Sequence, residues 1–418
     1  MLKFVEDITN EPEWWLKRQV LELPWAEYRP HADFTETMTD ACLVELAKKA
    51  KLFEEAGMVP VIDYAAYVVK SDTLITQTLQ DELKVFVEPL EKLQRLQNDW
   101  QLDIDGKALN VVDPSIWSLV YGTEVIPQRP KTMLDRLTAM VLPLRMKAFG
   151  TRSQWLPCNI DLTGEKLRTD SYINNLRPVR DAPLYSIIER LIEKSLPAWH
   201  IVFRSTDEAF KVSRFQRIKA IKYRCSVPEV CRYTCEPNNR PDGRQDDDSE
   251  ATHELLFPEP SRDRDHLVKL QASHVRDKGF FKRDAQKPSP RAMVGIGVSQ
   301  IQVSVKMANI HLTPEKPTSE GSQWQIEGQA IEKICATALL CYDCDNIADT
   351  LTSFRTQGNR GNLGDKLHYI YGDYQNRLGP FELADKTRPG HCKMLALFLV
   401  DPMNPIISTT IIPPQQRD

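Results

Sequence analysis

Two kinds of hydrophobic periodicity divide the chain. Up to about residue 200, apolar side chains recur at three- and four-residue spacing, which predicts amphipathic helices. The segment "TDACLVELAKKAKLFEEAG" opens with Thr39 and Asp40 as cap residues and ends at Gly57. Its apolar stripe consists of Leu43, Leu46, Ala50 and Phe53. This pattern predicts one helix that packs through a single face.

Two further helices are predicted before residue 200. One begins near Ser71, and Pro89 predicts that its end is kinked or shorter than the pattern suggests. Its apolar face is formed by Leu79, Leu83, Phe86 and Leu90. The other runs from Leu184 to Leu196, with a packing face of Ile187, Ile188, Leu191 and Ile192.

The last third of the chain changes to strand periodicity. "IQVSVKMAN" alternates apolar and polar residues from Ile301, which predicts a half-buried strand. "ICATALLCYD" and "KMLALFLVD" are almost continuously apolar, as in strands covered on both faces. The change predicts an α+β fold in which residues 301–413 form a β-sandwich or incomplete jelly roll, packed on helices from the first 200 residues.

A polar stretch separates these two regions. The segment Glu236–Asp265 is rich in Pro, Asp, Arg and Asn and is nearly free of aliphatic residues before Leu255. Such a segment buries too little apolar surface to offset the entropy of ordering, so it is interpreted as a flexible insertion. A strand-like segment, "FQRIKAIKYRCSV", precedes it.

Composition and charge limit which partners and which cellular compartment are expected. A formal net charge of -4 and an isoelectric point near 6.1 give no field that would hold a nucleic acid or an anionic membrane. The N-terminus is acidic where a signal peptide is basic, and the longest late apolar run, Met394–Val400, is too short to cross a bilayer. The nine cysteines are odd in number and scattered along the chain, so they do not form the disulfide framework of a secreted protein. A reducing, intracellular and cytoplasmic location is therefore expected.

Some of the cysteines are candidate ligands of a structural zinc ion. The candidates are Cys225, Cys231, Cys235, Cys341 and Cys344. Only the last two form a tight pair, and that spacing on a regular strand points the two thiols to opposite faces. The interpretation is therefore that they are buried free thiols, and no metal site is predicted.

The segment "WQIEG" suggests a different metal chemistry. If Trp324–Gly328 is a strand, Gln325 and Glu327 share one face, which is where a His-x-Glu pair binds Fe(II) in facial-triad oxygenases. Here glutamine occupies the histidine position. The sequence thus indicates either an iron enzyme with an altered ligand or the remains of one.

Long ordered segments carry a family resemblance. In order, "VVKSD", "DPSIWSLVYG", "SYINNLRP", "SVKMANIHLTPEKP", "WQIEGQAIEKICATAL", "CDNI", "PFELADKTRPGHCKMLALFLVDP" and "IISTTIIPPQQ" resemble a fungal family, domain of unknown function 4246. The resemblance covers nearly the whole chain. It implies a helical N-terminal region followed by a double-stranded β-helix (jelly-roll or cupin-like) core of the Fe(II)/2-oxoglutarate oxygenase type.

The resemblance also implies site residues, and this chain departs from them at three positions. The family pattern has W-H-x-E-G, a distal histidine, and an arginine in P-G-H-R-K that would pair with the far carboxylate of 2-oxoglutarate. Here Gln325 replaces the first histidine, with Glu327 still in register. Only Gly379 lies between Leu378 and Pro380, so the segment with the distal histidine is missing. Cys392 replaces the arginine.

These departures predict a core that lacks one or two strands and a pocket, Gln325, Glu327 and Cys392, that is vestigial. No catalytic residue, metal or cofactor is expected, although the resemblance implies Fe(II) and 2-oxoglutarate. The predicted division is a helical region at 1–130, an oxygenase-like domain at 131–235 and 266–418, and an insertion at 236–265.

Three functions follow from this interpretation. The first is a pseudoenzyme kept as a scaffold for a small molecule or a protein. The second is an active enzyme. It is either an oxygenase with non-standard ligands, in which His368 or His391 supplies the distal ligand and Arg388 or His391 stands in for a lost residue, or a metal-free acid/base catalyst in which Glu327 acts with Asp343 or Asp345. The third is a decayed gene product without a selected role. The short Leu378–Pro380 connection is either native or the result of an intron assigned wrongly in the gene model.

Overall fold

The computed structural model describes residues 2–11, 13–16, 36–63, 67–97, 100–101, 107–121, 153–204, 222–225, 253–256, 298–348, 351–356 and 374–414. Its helices are α1 (Leu2–Asn10), α2 (Glu36–Ala56), α3 (Gln77–Gln97) and α4 (Ala182–Arg204). The strands of the first half are β1 (Val59–Asp63), β2 (Tyr67–Lys70), β3 (Trp100–Gln101), β4 (Ala108–Val112), β5 (Leu119–Val120), β6 (Ser153–Gln154), β7 (Cys158–Asp161) and β8 (Arg168–Thr169). Those of the second half are β9 (Lys222–Cys225), β10 (His253–Leu256), β11 (Gln300–Leu312), β12 (Thr318–Ser319), β13 (Ile334–Asp345), β14 (Thr352–Thr356), β15 (Tyr374–Leu378), β16 (Phe381–Glu382) and β17 (Gly390–Val400).

The chain forms two compact units. The first comprises residues 1–71 and 208–286, and the second comprises residues 72–207 and 287–418. In the first unit, α1 and α2 pack beside the β1–β2 hairpin around a small apolar core. Trp15 stacks on Phe53 in this core, with 4.1 Å between the ring centroids.

The second unit is built on a seven-stranded antiparallel sheet. Its strand order is β13-β17-β11-β4-β3, with β7 paired to β11 and β8 paired to β7. Helices α3 and α4 share one core with the face of β17 that carries Leu395, Leu397 and Leu399. We call this the helix face. The opposite face carries Cys392 and Met394 and packs on Phe381 and Leu383. We call this the open face.

Mixed helix and strand elements confirm the predicted α+β class. No helix occurs among the described residues from 298 to 414, which fits the predicted change of periodicity, and α3 and α4 pack on the sheet as expected. The sheet also contains four strands that precede residue 200, namely β3, β4, β7 and β8. The jelly-roll topology and the boundaries at residues 130 and 236–265 stay predictions.

The predicted helices form with some differences in their ends and faces. Thr39 and Asp40 do not cap α2 but lie within it, because the helix begins at Glu36; its end at Gly57, with φ of 67°, is confirmed. In α3 the buried stripe contains Val87, whereas Phe86 is 42% exposed, so that part of the predicted face was wrong. The face predicted for α4 is confirmed, since all four of its isoleucine and leucine residues are buried.

The position of each strand in the sheet explains two other differences. β11 is interior, so its polar residues Gln302 and Ser304 are buried as well, and the half-buried interpretation was wrong. Gln302 there donates a hydrogen bond to the backbone carbonyl of Ile406 at 2.8 Å. β13 lies at the edge of the sheet, with Leu339 48% exposed, so only β17 is covered on both faces as predicted.

Part of the predicted insertion is a strand. β10 lies within Glu236–Asp265 and pairs antiparallel with β9, which itself falls in the segment predicted as strand-like. The rest of the insertion lies outside the described residues. None of the helices in the described part of the chain combines the length and the apolar run that crossing a bilayer needs.

Candidate functional site

The segment Trp324–Gly328 is not the strand that the sequence predicted. Only the backbone of Gln325 forms a bridge, with Asn376, through two hydrogen bonds of 2.9 and 3.0 Å. Gly328 has φ of 75°, a left-handed conformation that turns the chain out of an extended path. The two-residue alternation expected for a strand therefore does not apply to Glu327.

The carboxylate of Glu327 binds a lysine. Lys306 Nζ lies 3.3 Å from Glu327 Oε2, and both side chains are about one-fifth exposed. Lys306 lies in β11, directly opposite Ala396 of β17, so its side chain emerges on the open face. Sequence reasoning missed Lys306 because it appeared as one polar position of an alternating strand.

Cys392 lies on the open face of β17 and belongs to an apolar cluster. It is buried, and the cluster contains Ala108, Ile310, Leu312, Phe381, Leu383 and Met394. Its neighbours across the strand pair are other thiols: Cys392 lies opposite Cys344 in register, and its Sγ is 3.4 Å from that of Cys341. Among the described residues, no hydrogen bond or ion pair joins Gln325, Glu327 and Cys392 to one another.

Three cysteines converge at this point. The Sγ atoms of Cys341, Cys344 and Cys392 all lie within 4.8 Å of one another. Cys341 and Cys344 are exposed and Cys392 is buried. The sequence interpretation of the first two as buried thiols that point to opposite faces was therefore wrong.

A β-bulge brings the two thiols of β13 to one face. Cys341 pairs with Met394 and Asp343 with Lys393, so Tyr342 is an extra residue in the ladder. Tyr342 is 1% exposed and belongs to the core on the helix face. The extra residue shifts the alternation by one position, so Cys341 and Cys344 both emerge on the open face. A bulge of this kind leaves no signal in the local spacing of cysteines.

The three thiols differ in acidity. A hydrogen bond to the Cys392 thiol lowers the pKa of Cys341 to about 7, against the opposing effect of its partial burial. The same hydrogen bond, together with burial, raises the pKa of Cys392. Burial and the neighbouring Cys341 raise the pKa of Cys344. Cys341 is thus the thiol that carries negative charge first.

The helix face beneath the same strands carries an ionic network. Asp343 lies 2.9 Å from His391 Nε2, 3.1 Å from Lys84 Nζ of α3 and 3.3 Å from Lys393 Nζ. Burial raises the pKa of Asp343, but the hydrogen bonds from His391 and Lys84 outweigh it, so the pKa is lowered.

Glu91 of α3 is the second anion of this network. Its side chain is 7% exposed and lies 2.5 Å from Arg95, 3.2 Å from Lys393 and 3.3 Å from His311. Burial raises the pKa of Glu91, but hydrogen bonds from His311 and Arg95 and the charge of Lys393 hold it well below its usual range. The sequence did not indicate this network, because its members come from α3, β11, β13 and β17.

Among the described residues, those predicted to act with Glu327, or to replace the lost ligands, do not lie on its face of the sheet. Asp343 and His391 lie on the helix face, opposite Lys306 and its partner. Asp345 and Arg388 pair with each other at 2.7 Å, and that contact lowers the pKa of Asp345. The prediction that His391 faces away from Cys392 is confirmed by the register. His368, Cys231 and Cys235 lie outside the described residues, and nothing is described of the Cys225 side chain.

Comparison with known families decides the membership of the chain. The family described as "Protein of unknown function (DUF4246)" matches residues 36–374 and 371–418. The chain belongs to this family. No curated protein and no solved structure matches it. The DUF4246 match includes Gln325, Glu327 and Cys392.

The DUF4246 chain has a short connection at the position where the family pattern has the distal histidine. Leu378 ends β15 and Phe381 begins β16. Hydrogen bonds to two other segments of the chain hold the connection between them. Ser322 N donates to Leu378 O at 2.9 Å, and Leu378 N donates to Ser322 Oγ at 2.9 Å. Gly379 adopts φ of 80°, with its amide bonded to the carbonyl of Leu351. The short connection is therefore compatible with a closed, hydrogen-bonded structure.

Proposed function

We propose that this DUF4246 chain is a non-catalytic relative of Fe(II)/2-oxoglutarate oxygenases that serves as a binding or scaffolding protein. The observation that carries the proposal is the ion pair between Lys306 and Glu327. A carboxylate that serves as an iron ligand must be free to bind a cation, and here a lysine ammonium already provides the positive charge.

Two further observations support the same proposal. Gln325 offers an amide, a weaker ligand for Fe(II) than imidazole, and its backbone is tied to Asn376. Cys392 is buried among apolar groups and thiols, where it gives no two-point contact to a carboxylate. Neither Gln325 nor Cys392 supplies the positive charge with which an arginine would hold the far carboxylate of 2-oxoglutarate.

Restoring the first ligand is expected to leave the protein inactive. We expect Gln325→His to consume 2-oxoglutarate at the rate of a protein-free control, because Glu327 stays paired with Lys306 and Cys392 cannot hold the cosubstrate. The assay measures Fe(II)-dependent succinate formation in the native chain, in Gln325→His, and in Gln325→His combined with Cys392→Arg. We expect all three to remain at background.

A matched control fixes the interpretation of that assay. Gln323→His places the same imidazole at an exposed position two residues earlier, so any nonspecific iron chemistry of a new histidine appears there as well. Iron-dependent turnover by the native chain would refute the pseudoenzyme proposal. Turnover by Gln325→His but not by Gln323→His would show that another residue, such as His391 or His368, supplies the distal ligand.

A further inference from the structure

We propose that Cys341, Cys344 and Cys392 form a binding site for a thiophilic d¹⁰ metal ion, Zn²⁺ or Cu⁺. The three thiols lie on the open face where the edge strand β13 meets β17. Neither the family membership nor the proposed loss of oxygenase activity requires such a site.

The sulfur geometry matches that of a bound ion. A Zn–S bond of about 2.3 Å in a tetrahedron places two sulfurs about 3.8 Å apart. The three Sγ atoms here all lie within 4.8 Å of one another, and one pair is 3.4 Å apart. Side-chain rotations that change the S–S distances by about 1 Å or less are sufficient to bring all three sulfurs to a common ion.

The ligand set selects a soft metal. The three converging ligand atoms are all sulfur, and soft thiolates favour Zn²⁺ and Cu⁺ over Mg²⁺ or Ca²⁺. The nearby carboxylates of Asp343 and Asp345 lie on the helix face and are paired with cations. Met394 lies opposite Cys341 in register and therefore on the same face, where its thioether adds a soft group suited to Cu⁺.

The site is accessible and held by the fold. Cys341 and Cys344 are exposed on an edge strand, as are Thr337 and Leu339 on the same face, so an ion can enter from solvent. Cys392 is buried in β17, the strand whose apolar residues are covered on both sides. The buried thiol of Cys392 is held in place by its packing, and the exposed thiols of Cys341 and Cys344 complete the set of three ligands.

Metal titration of the reduced full-length chain tests the proposal. Co²⁺, a spectroscopic probe for Zn²⁺, is expected to bind at one ion per chain with sulfur-to-metal charge-transfer absorption, and Zn²⁺ is expected to displace it. A parallel titration with Cu⁺ against a chromogenic chelator determines which ion binds more tightly. We expect Cys341→Ser and Cys344→Ser each to weaken binding by about 100-fold or more, since even changes behind the ligands cost 10–100-fold.

Two controls locate the ion. Cys335→Ala removes a thiol of the same strand outside the cluster, and Cys225→Ala combined with Cys231→Ala and Cys235→Ala removes the other closely spaced cysteines. Both variants are expected to bind like the native chain. Cys341→Ser and Cys344→Ser change exposed residues, so the test does not depend on whether a change at buried Cys392 folds.

Several results would overturn the proposal. They are the absence of Co²⁺, Zn²⁺ and Cu⁺ binding by the reduced chain, binding that survives both serine variants, and binding lost only with the Cys225, Cys231 and Cys235 changes. A native chain in which two of Cys341, Cys344 and Cys392 form a disulfide that reduction does not convert to a metal-binding form would also refute it. Because the readout is thiolate-to-metal absorption, its failure is distinct from that of the succinate assay.

Discussion

Gly321→Ala is expected to lower the free energy of unfolding of the second unit, which contains the seven-stranded sheet, by about 3–5 kcal/mol. A Cβ at this position would lie 2.1 Å from the carbonyl oxygen of Leu378 and 3.0 Å from Gly379 Cα. Gly321 also has φ of 78°, a conformation that costs other residues roughly 1–2 kcal/mol. The contacting atoms are backbone, so they cannot move aside cheaply.

The measurement is hydrogen exchange of the β17 amides as a function of urea concentration, which reports the opening of this unit. The control is Gly164→Ala. Gly164 is exposed, and the nearest atom to a Cβ added there is the carbonyl oxygen of Lys166, at 3.1 Å. It should leave exchange of β17 almost unchanged. If Gly321→Ala were tolerated equally well, the tight approach of Gly321 to the Leu378–Pro380 connection would not exist. The connection would then lack the close approach that its hydrogen bonds to Ser322 and Leu351 hold in place.

Glu91→Gln is expected to destabilise the same unit by about 3 kcal/mol at neutral pH. The change keeps the shape of a nearly buried side chain but removes the negative charge that faces Arg95, Lys393 and His311. Removal of one partner leaves the other charges in a partly desolvated site, which costs more than the ion pair contributes when it is intact.

The effect of Glu91 should depend on pH in a defined direction. Its pKa is lowered in the folded state, so the native chain binds fewer protons at this site than the unfolded chain does. The stability advantage over Glu91→Gln is therefore fully present above the unfolded pKa of about 4.3 and is lost as the pH falls through the folded pKa.

The control for this prediction lies on the same helix. Glu88 is 60% exposed and pairs with Lys92 at 2.8 Å, so Glu88→Gln is expected to leave urea unfolding unchanged within error. Both variants are compared with the native chain between pH 3 and pH 8. A Glu91→Gln variant as stable as Glu88→Gln at pH 7 would contradict the network.

The candidate site was predictable only in part. Gln325, Glu327 and Cys392 were identified because a resemblance aligned them with known motif positions. The sequence did not identify the partners of Glu327 and Cys392. Lys306 is 21 residues from Glu327 along the chain, and Cys341 is 51 residues from Cys392. Ion pairs and thiol contacts between distant strands depend on register, and local spacing carries no information about register.

What the sequence by itself determined is the type of each long element. Periodicity identified α2, α3 and α4, the strands β11, β13 and β17, and the α+β class, because burial of one face imposes the helical or strand repeat on the sequence. The tertiary structure alone decided which strand is interior and which is at the edge, and hence which apolar residues are covered. It also decided the bulge at Tyr342, which places Cys341 and Cys344 on one face, because that bulge depends on pairing with β17.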